Sequence, residues 1–264
     1  MPFAEIAGVT LHFRVSGPER ATPVAFVNSL GTDCRIWDDL VAVAGDRIRS
    51  LRYDQRGQGL SDVPAGPYTI GDHAGDLLGL LDRLEWGPTV LCGLSIGGMI
   101  AMEACARRQE AVRGLVLSDT SDRIGPKEFW DVRIRQIRDG GVEPIADSVM
   151  QRWFGSSFHR DSGVTARGWA NLLRRAPLEG YLGSCAALRE ADLSESLGGI
   201  GTPALCICGS EDASTTPDEV RSLAGRLPDA RYAEVQGAGH LVPVERPEEF
   251  AGLLTRFLEE RLGA

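Results

Sequence analysis

The sequence predicts an α/β fold: a mostly parallel sheet with helices on both faces and a helical insertion over one end of it. Three observations point there. Short apolar, β-branched-rich runs alternate with stretches of helical periodicity up to about residue 120, and again from about 192. Such alternation builds parallel strands joined by right-handed crossovers. Between about 121 and 191 the alternation stops; the chain becomes rich in Arg and Trp, helical in pattern, without a convincing strand. Finally, "VLCGLSIGGM" (90–99) carries an apolar strand pattern straight into a helix pattern through a serine set among glycines. The chain therefore divides into a core, 1–120 and 192–264, and an inserted helical cap, 121–191.

The elements follow in order. "FAEIAGVTLHFRVSG" alternates apolar and polar residues about Ala7-Gly8, the pattern of a β-hairpin. Strands are expected in "PVAFVN" (23–28), "RIRSLRY" (47–53), "TVLCG" (89–93), "VRGLVLSD" (112–119), "PALCICG" (203–209) and "ARYAEVQG" (230–237). Helices are expected in "IGDHAGDLLGLLDRL" (70–84), "IGGMIAMEACARRQ" (96–109), "TPDEVRSLAGRL" (216–227) and "RPEEFAGLLTRFLEERL" (246–262). The last two open beside a proline with acids in the first turn, where the helix dipole favours negative charge. An insertion after one strand lies over the carboxyl ends of the strands, the rim where open α/β sheets bind ligands.

Composition narrows the function. The 264 residues are 43% hydrophobic and 25% charged, enough for a substantial core without disulfide staples. A net charge of −9 argues against nucleic acid or an anionic membrane as partner, while one local arginine suffices for a small anionic substrate. No apolar run approaches about 18 residues, and "MPFAEIAGVT" lacks the basic-then-apolar pattern of a signal peptide. A cytoplasmic protein is expected, a monomer or small homo-oligomer. Cys34, Cys92, Cys105, Cys185, Cys206 and Cys208 lie in apolar stretches and read as free, buried thiols. The C-x-C at 206–208 has no histidine nearby, and no motif asks for a metal or a cofactor.

Gly93-Leu94-Ser95-Ile96-Gly97 fits G-x-S-x-G in the strand-to-helix context that gives the pattern meaning. A serine on so sharp a turn is strained, and flanking side chains would collide; glycines relieve the collision and leave the hydroxyl exposed. The alternative is a glycine-rich turn whose serine caps the next helix. As a nucleophile, Ser95 needs a base. Of His12, His73, His159 and His240, only His240, in "VQGAGHLVPVERP", follows the last strand, as the chain order serine, acid, histidine requires. The acid that orients it comes from "GSEDASTTP" or from Asp119 in "LVLSDTS". The G-x-x-D spacing from Gly209 favours Asp212, Glu211 reads as a helix cap, and Asp119 stays a competitor. Two backbone N–H groups must face a tetrahedral oxyanion, one from Ile96 and one from Leu30 in "AFVNSLGTDCRIW".

With these residues in place the chain resembles the α/β-hydrolase superfamily over essentially its whole length: the serine elbow, "RYDQRGQGLSD" (52–62), "GSED" and "GAGH" occur in the expected order. More narrowly it resembles the 3-oxoadipate enol-lactonases, through "NSLGTDCRIWD" (28–38), "RYDQRGQGLSDVPAGPYTI" (52–70), "CGLSIGGM" (92–99) and "YLGSCAALREADL" (181–193). Many members of the superfamily carry His-Gly where this chain has Asn28-Ser29, and the lactonases typically read Asn-Ser. Two departures are Gln58, often histidine in such lactonases, and Ile96, often methionine. The resemblance implies hydrolysis of a small anionic enol-lactone to 3-oxoadipate in aromatic catabolism, with Ser29 in the substrate site. A fixed cation then has to hold the carboxylate. Trp130 and Arg133 in "KEFWDVRIRQIR" are three apart, on one helical face, where an arginine can grip a carboxylate while the indole closes the apolar side. Arg135 and Arg189 are alternatives, and Trp153 in "QRWF" reads as cap core. The rival functions are a general carboxylesterase, a cofactor-free perhydrolase, and a non-catalytic receptor on the same fold.

Overall fold

The structure, a computed structural model, describes residues 2–263. Phe3–Ile6 (β1) and Val9–Ser16 (β2) form the expected hairpin. Its turn holds Ala7 and Gly8 at φ of 48° and 82°, the backbone that matches the right-handed twist of the strands. Six strands follow: Thr22–Val27 (β3), Ile48–Tyr53 (β4), Thr89–Leu94 (β5), Val112–Ser118 (β6), Ala204–Gly209 (β7) and Ala230–Val235 (β8). They make one eight-stranded sheet in the order β1-β2-β4-β3-β5-β6-β7-β8. The β1–β2 and β2–β4 pairs are antiparallel and the rest parallel. β5 and β7 are buried at every residue, which is why both read as unbroken apolar runs instead of alternating.

The helices of the sheet are Asp38–Ala44 (α1), Ile70–Arg83 (α2) and Ile96–Arg107 (α3). Five helices stand between β6 and β7, with no strand among them: Lys127–Gly140 (α4), Glu143–Trp153 (α5), Ser156–Asp161 (α6), Gly163–Arg174 (α7) and Leu178–Glu190 (α8). Pro217–Arg226 (α9), Val242–Glu245 (α10) and Pro247–Leu262 (α11) complete the chain. α2 and α9 both start on a full capping box, Thr69 with Asp72 and Thr216 with Glu219. The sequence reading did not anticipate α1, the 3₁₀ turn Cys34–Trp37 before it, or α10. Each is too short to show a helical period.

Topology decides where a site can form. From β3 the chain runs through α1 to β4 on one side; from β4 it runs through α2 to β5 on the other side of β3. Right-handed crossovers in opposite directions put α1 and α2 on opposite faces. α11 packs on α1, and α3 on α2, so both faces are covered. The strand order reverses between β3 and β5, and a crevice opens where the loops after those two strands part. Among the described residues no helix is long and apolar enough to cross a membrane.

α3 meets the sheet at that crevice with almost no clearance. A Cβ on Gly97 would overlap the carbonyl oxygen of Val27 in β3, and one on Gly93 the carbonyl oxygen of Gly97. Neither backbone group can give way. Gly97→Ala is therefore expected to destabilise the fold by about 3 kcal/mol or more in urea denaturation. Gly75, by contrast, sits exposed in α2 with nothing within 4 Å of an added Cβ. Gly75→Ala should stabilise by about 0.5–1 kcal/mol through helix propensity. Equal effects at the two positions would overturn the close-packing argument.

Candidate active site

Ser95 stands between the last residue of β5 and the first of α3, at φ 58° and ψ −121°, a conformation that costs a non-glycine residue about 1–3 kcal/mol. The surroundings hold it there. Its N–H donates to Ser118 O of β6 (3.0 Å), and its carbonyl accepts from Gly98 N (2.9 Å) and Thr120 Oγ1 (2.6 Å). The side chain makes no cap hydrogen bond to α3, which removes the reading of Ser95 as a helix cap. Ile96 opens α3, so its N–H lies in the turn that has no intrahelical acceptor.

His240 Nδ1 lies 2.8 Å from Asp212 Oδ2. Both residues are buried, at 3% and 4% exposure. Asp212 is fixed by Ser214 N (2.7 Å), Thr215 N (3.2 Å) and Thr215 Oγ1 (2.8 Å), all donating to it. A carboxylate on Nδ1–H leaves Nε2 of the neutral ring as a proton acceptor. The competitor Asp119 follows β6 and lies within 4.8 Å of Asp212, but it makes no hydrogen bond to His240; Gly209 N (2.8 Å) and Ser118 Oγ (2.5 Å) donate to it. Burial, and then the charge of Asp212, hold its carboxyl well above the usual range. Glu211 points out of the site and accepts from Ser156 N (2.7 Å), so it caps α6 across the fold.

The loop after β3 supplies the opposite wall. Asn28 is buried, donating from Nδ2 to Tyr53 O (2.7 Å) and accepting from Trp37 Nε1 (2.8 Å), which anchors the loop beneath Ser29 and Leu30. A cavity of about 230 Å³ is lined by Ser29, Leu30, Ser95 and His240 on the core side, and by Trp130, Arg133, Arg152 and Trp153 from α4 and α5. Of the eight residues named from the sequence, Ser29, Leu30, Ser95, Trp130, Arg133 and His240 line this cavity, whereas Ile96 and Asp212 do not; both are buried, and Asp212 is bonded to His240. Trp153 is core, as expected, and also lines the cavity.

Arg152 was missed. The guanidinium carbons of Arg133 and Arg152 lie 5.2 and 5.3 Å from the Phe129 ring, and neither is paired with an acid among the described residues. Burial, and then Arg133, lower the Arg152 pKa. Arg189, in contrast, is already paired with Asp131 (2.6 Å) and with Glu190, and Arg135 is exposed outside the cavity. The signal for Arg152 was its place beside Trp153 in "QRWF", but helical phase alone does not say which of two adjacent residues faces inward.

The other histidines stand apart. His73 is buried without a partner and pushed down to about 3 by burial, while His159 lies on α6. His12 pairs with Asp54 (2.8 Å) beside Cys34, on a larger cavity of about 640 Å³ that shares only Tyr181 with the serine site. His12, Cys34 and Asp54 form one cluster of possible metal donors, and Asp119, Cys208 and Asp212 another. In both, the carboxylates are already engaged by protein N–H and O–H groups, as in Asp54 by Cys34 N (2.8 Å) and Leu60 N (2.9 Å). All six cysteines are buried and unpaired.

Comparison with known proteins agrees with this architecture. The sequence model of the alpha/beta hydrolase family matches residues 24–253. The chain is 32% identical to 3-oxoadipate enol-lactonase 2 of Acinetobacter baylyi, over 92% of this chain and 90% of that one. The crystal structure of the enol-lactonase from Burkholderia xenovorans superposes with a TM-score of 0.95 at 37% identity, covering 98% of this chain and all of that one. A thermophilic esterase from Thermogutta terrifontis, solved with malate bound, superposes with a TM-score of 0.93 at 28% identity, covering 98% and 99%.

The two acids near His240 separate by mutation. Asp212→Asn offers Nδ1 an amide instead of a carboxylate and should lower kcat for ester hydrolysis by about 10⁴-fold, as the wrong tautomer is then favoured. Asp119→Asn keeps an acceptor for Gly209 N and should change kcat by less than about tenfold. The reverse pattern would move the orienting acid to β6.

Proposed function

The chain belongs to the alpha/beta hydrolase family and is a carboxylic-ester hydrolase, and we propose that it opens 3-oxoadipate enol-lactone to 3-oxoadipate through an acyl-enzyme on Ser95. The observation that carries this reading is the cavity itself. One end holds a strained serine and a histidine backed by a carboxylate; the other holds the buried guanidinium of Arg133 and the half-buried one of Arg152, neither paired with an acid among the described residues. Unpaired buried cations are costly unless a ligand supplies the anion. The names of the relatives at 32% and 37% identity support the same class of substrate.

The chemistry follows from the positions. Ser95 Oγ attacks the lactone carbonyl while His240 Nε2 takes its proton and Asp212 stabilises the imidazolium. The tetrahedral oxygen carries the negative charge toward the N–H groups of Leu30 and Ile96. Collapse breaks the ring C–O bond, and the departing enol oxygen takes the proton from His240, then tautomerises to a ketone. Both fragments remain on one carbon chain, held as an ester of Ser95. Water, deprotonated by His240, attacks that ester and restores Ser95, releasing the second carboxylate. Helices α4 to α8 act as a cap over this site, with residues 121–191 as the cap domain. Arg133 and Arg152 hold the substrate carboxylate across the Phe129 ring, and Trp130 closes the apolar side. Trp130 is fixed for this by Nε1 donating to Ile124 O (2.6 Å).

Two substrates test the assignment together. Ser95→Ala should abolish turnover of both the enol-lactone and p-nitrophenyl acetate, leaving at most about 10⁻³ of kcat. Arg133→Met and Arg152→Met remove a charged hydrogen bond worth about 1.5–3 kcal/mol, so each should lower kcat/KM for the lactone about 10- to 150-fold. The neutral ester does not use that bond and should change by less than about threefold. Equal losses on both substrates would mean that the arginines support the cap, not the carboxylate.

A further inference from the structure

One buried acid lies beside the site and takes no part in the chemistry above. Glu245, the last residue of α10, is 7% exposed. Its Oε1 accepts from Gly239 N (2.8 Å), the residue before His240, and its Oε2 accepts from Gly155 N (2.9 Å), in the turn between α5 and α6. The two backbone segments are in direct contact there. A Cβ on Gly239 would stand 2.7 Å from Gly155 N, and one on Gly155 2.8 Å from Gly237 O. Leu241 N also donates to Trp153 O (3.0 Å), on the far side of His240. The segment that carries Arg152 and Trp153 into the cavity and the loop that carries His240 thus meet on one carboxylate.

We propose that ionised Glu245 is a positioning residue for hydrolysis, holding the His240 loop and the cap turn 153–156 in register by accepting both N–H groups at once. The inference rests on the reading of His240 as the base. Its physical core is the number of acceptors. A carboxylate offers two; a protonated carboxyl presents a donor on one oxygen, which meets an N–H head-on and releases either Gly155 or Gly239. Proton uptake by Glu245 therefore loosens the cap from the histidine loop.

The surroundings set this change within reach of ordinary pH. Burial pushes the Glu245 carboxyl up to about 7, against the opposing pull of the two N–H donors and Arg246; the charge of Glu211 pushes the same way as burial. Glu211 is itself faced by Arg246 and Arg160. α1, the 3₁₀ turn Cys34–Trp37 and α11 also pack on α10, and their charged residues are occupied or exposed: Asp38 pairs with Arg14, Arg35 with Asp33, Glu249 lies 4.0 Å from Arg246, and Asp39 and Glu248 face solvent. The sign follows. The positioning bonds are complete above about pH 7 and lost as pH falls below it.

Glu245→Gln, a mimic of the protonated acid, tests this with p-nitrophenyl acetate, a substrate that does not need the cap arginines. At about pH 8 the variant should have kcat/KM at least about tenfold below wild type, and at about pH 5.5, where wild-type Glu245 is itself protonated, the ratio should shrink to under about threefold. A loss that stays constant across pH, or no loss, overturns the positioning role. Wild type no faster than Ser95→Ala overturns the hydrolytic reading and the inference with it. A readout independent of the variant is hydrogen exchange in the wild-type protein. Corrected for intrinsic rates, protection in segments 153–157 and 237–241 should fall between about pH 8 and about pH 5.5 while β5 stays protected. Protection that is unchanged in those segments overturns the proposal even if Glu245→Gln fails to fold.

Discussion

The serine site depends on a single backbone constraint: Ser95 must hold a positive φ where β5 turns into α3. A strand entering a helix with no intervening loop leaves one residue to absorb the change of direction, and an L-residue resists the angles this requires. The molecule answers with close contacts from the strands on both sides of β5. β6 clamps the serine N–H and, through Thr120, its carbonyl. β3 lies under Gly97 without room for a methyl group. Because β3 and β5 are also the strands where the sheet order reverses, the strained serine and the Ser29–Leu30 loop are forced to face one another. Ser95 and the Ser29–Leu30 loop are thereby placed by topology before any side chain is chosen.

Electrostatics works on a shorter scale than composition suggests. The chain carries a net charge of −9, which should repel a small anion at long range. Inside a screening length of about 8–10 Å the local charges decide. There the cavity shows Arg133 and Arg152 beside the buried Asp212–His240 pair. Asp212 is spent on four hydrogen bonds behind the histidine and leaves the guanidiniums uncompensated. Asp119 lies behind Asp212 and not on the cavity wall, and burial, then the charge of Asp212, raises its pKa. A net-negative protein can thus present a net-positive pocket.

The sheet and its covering helices were legible because each obeys one strong rule. Fully buried parallel strands appear as apolar runs, and capped helices announce themselves by Thr-x-x-Asp or Thr-x-x-Glu. The serine, the histidine and their order were legible for a similar reason, since glycine around a lone hydroxyl has few other uses. What escaped was set by contacts distant in sequence. α1 and α10 are short and exist because α11 and the 3₁₀ turn pack against them. The choice between Asp119 and Asp212 turned on which carboxylate His240 Nδ1 meets: it meets Asp212, while Asp119 accepts from Gly209 N, 90 residues away in the chain. Arg152 needed the orientation of α5 relative to Phe129 of α4, which no local pattern encodes.

The inserted helices are bound to the Asp212 and His240 loops by the residues next to Asp212 and His240. Glu211 precedes Asp212 and reaches Ser156; Gly239 precedes His240 and shares Glu245 with Gly155; Leu241 follows His240 and donates to Trp153. Arg246 adds a bond to Ser157 Oγ (3.2 Å). The Asp212 loop and the His240 loop therefore meet the same five-residue stretch of the insertion, 153–157, whose preceding residue is Arg152. Motion of that stretch cannot leave the histidine undisturbed, since an atom bonded on both sides moves with its neighbours. The wall that carries Arg152 and Trp153 is thus tied directly to the His240 loop, whereas α8, on the opposite wall, is held against a different part of the core: a Cβ on Gly180 would meet Gly57 O, and Tyr68 N donates to Gly183 O (3.3 Å).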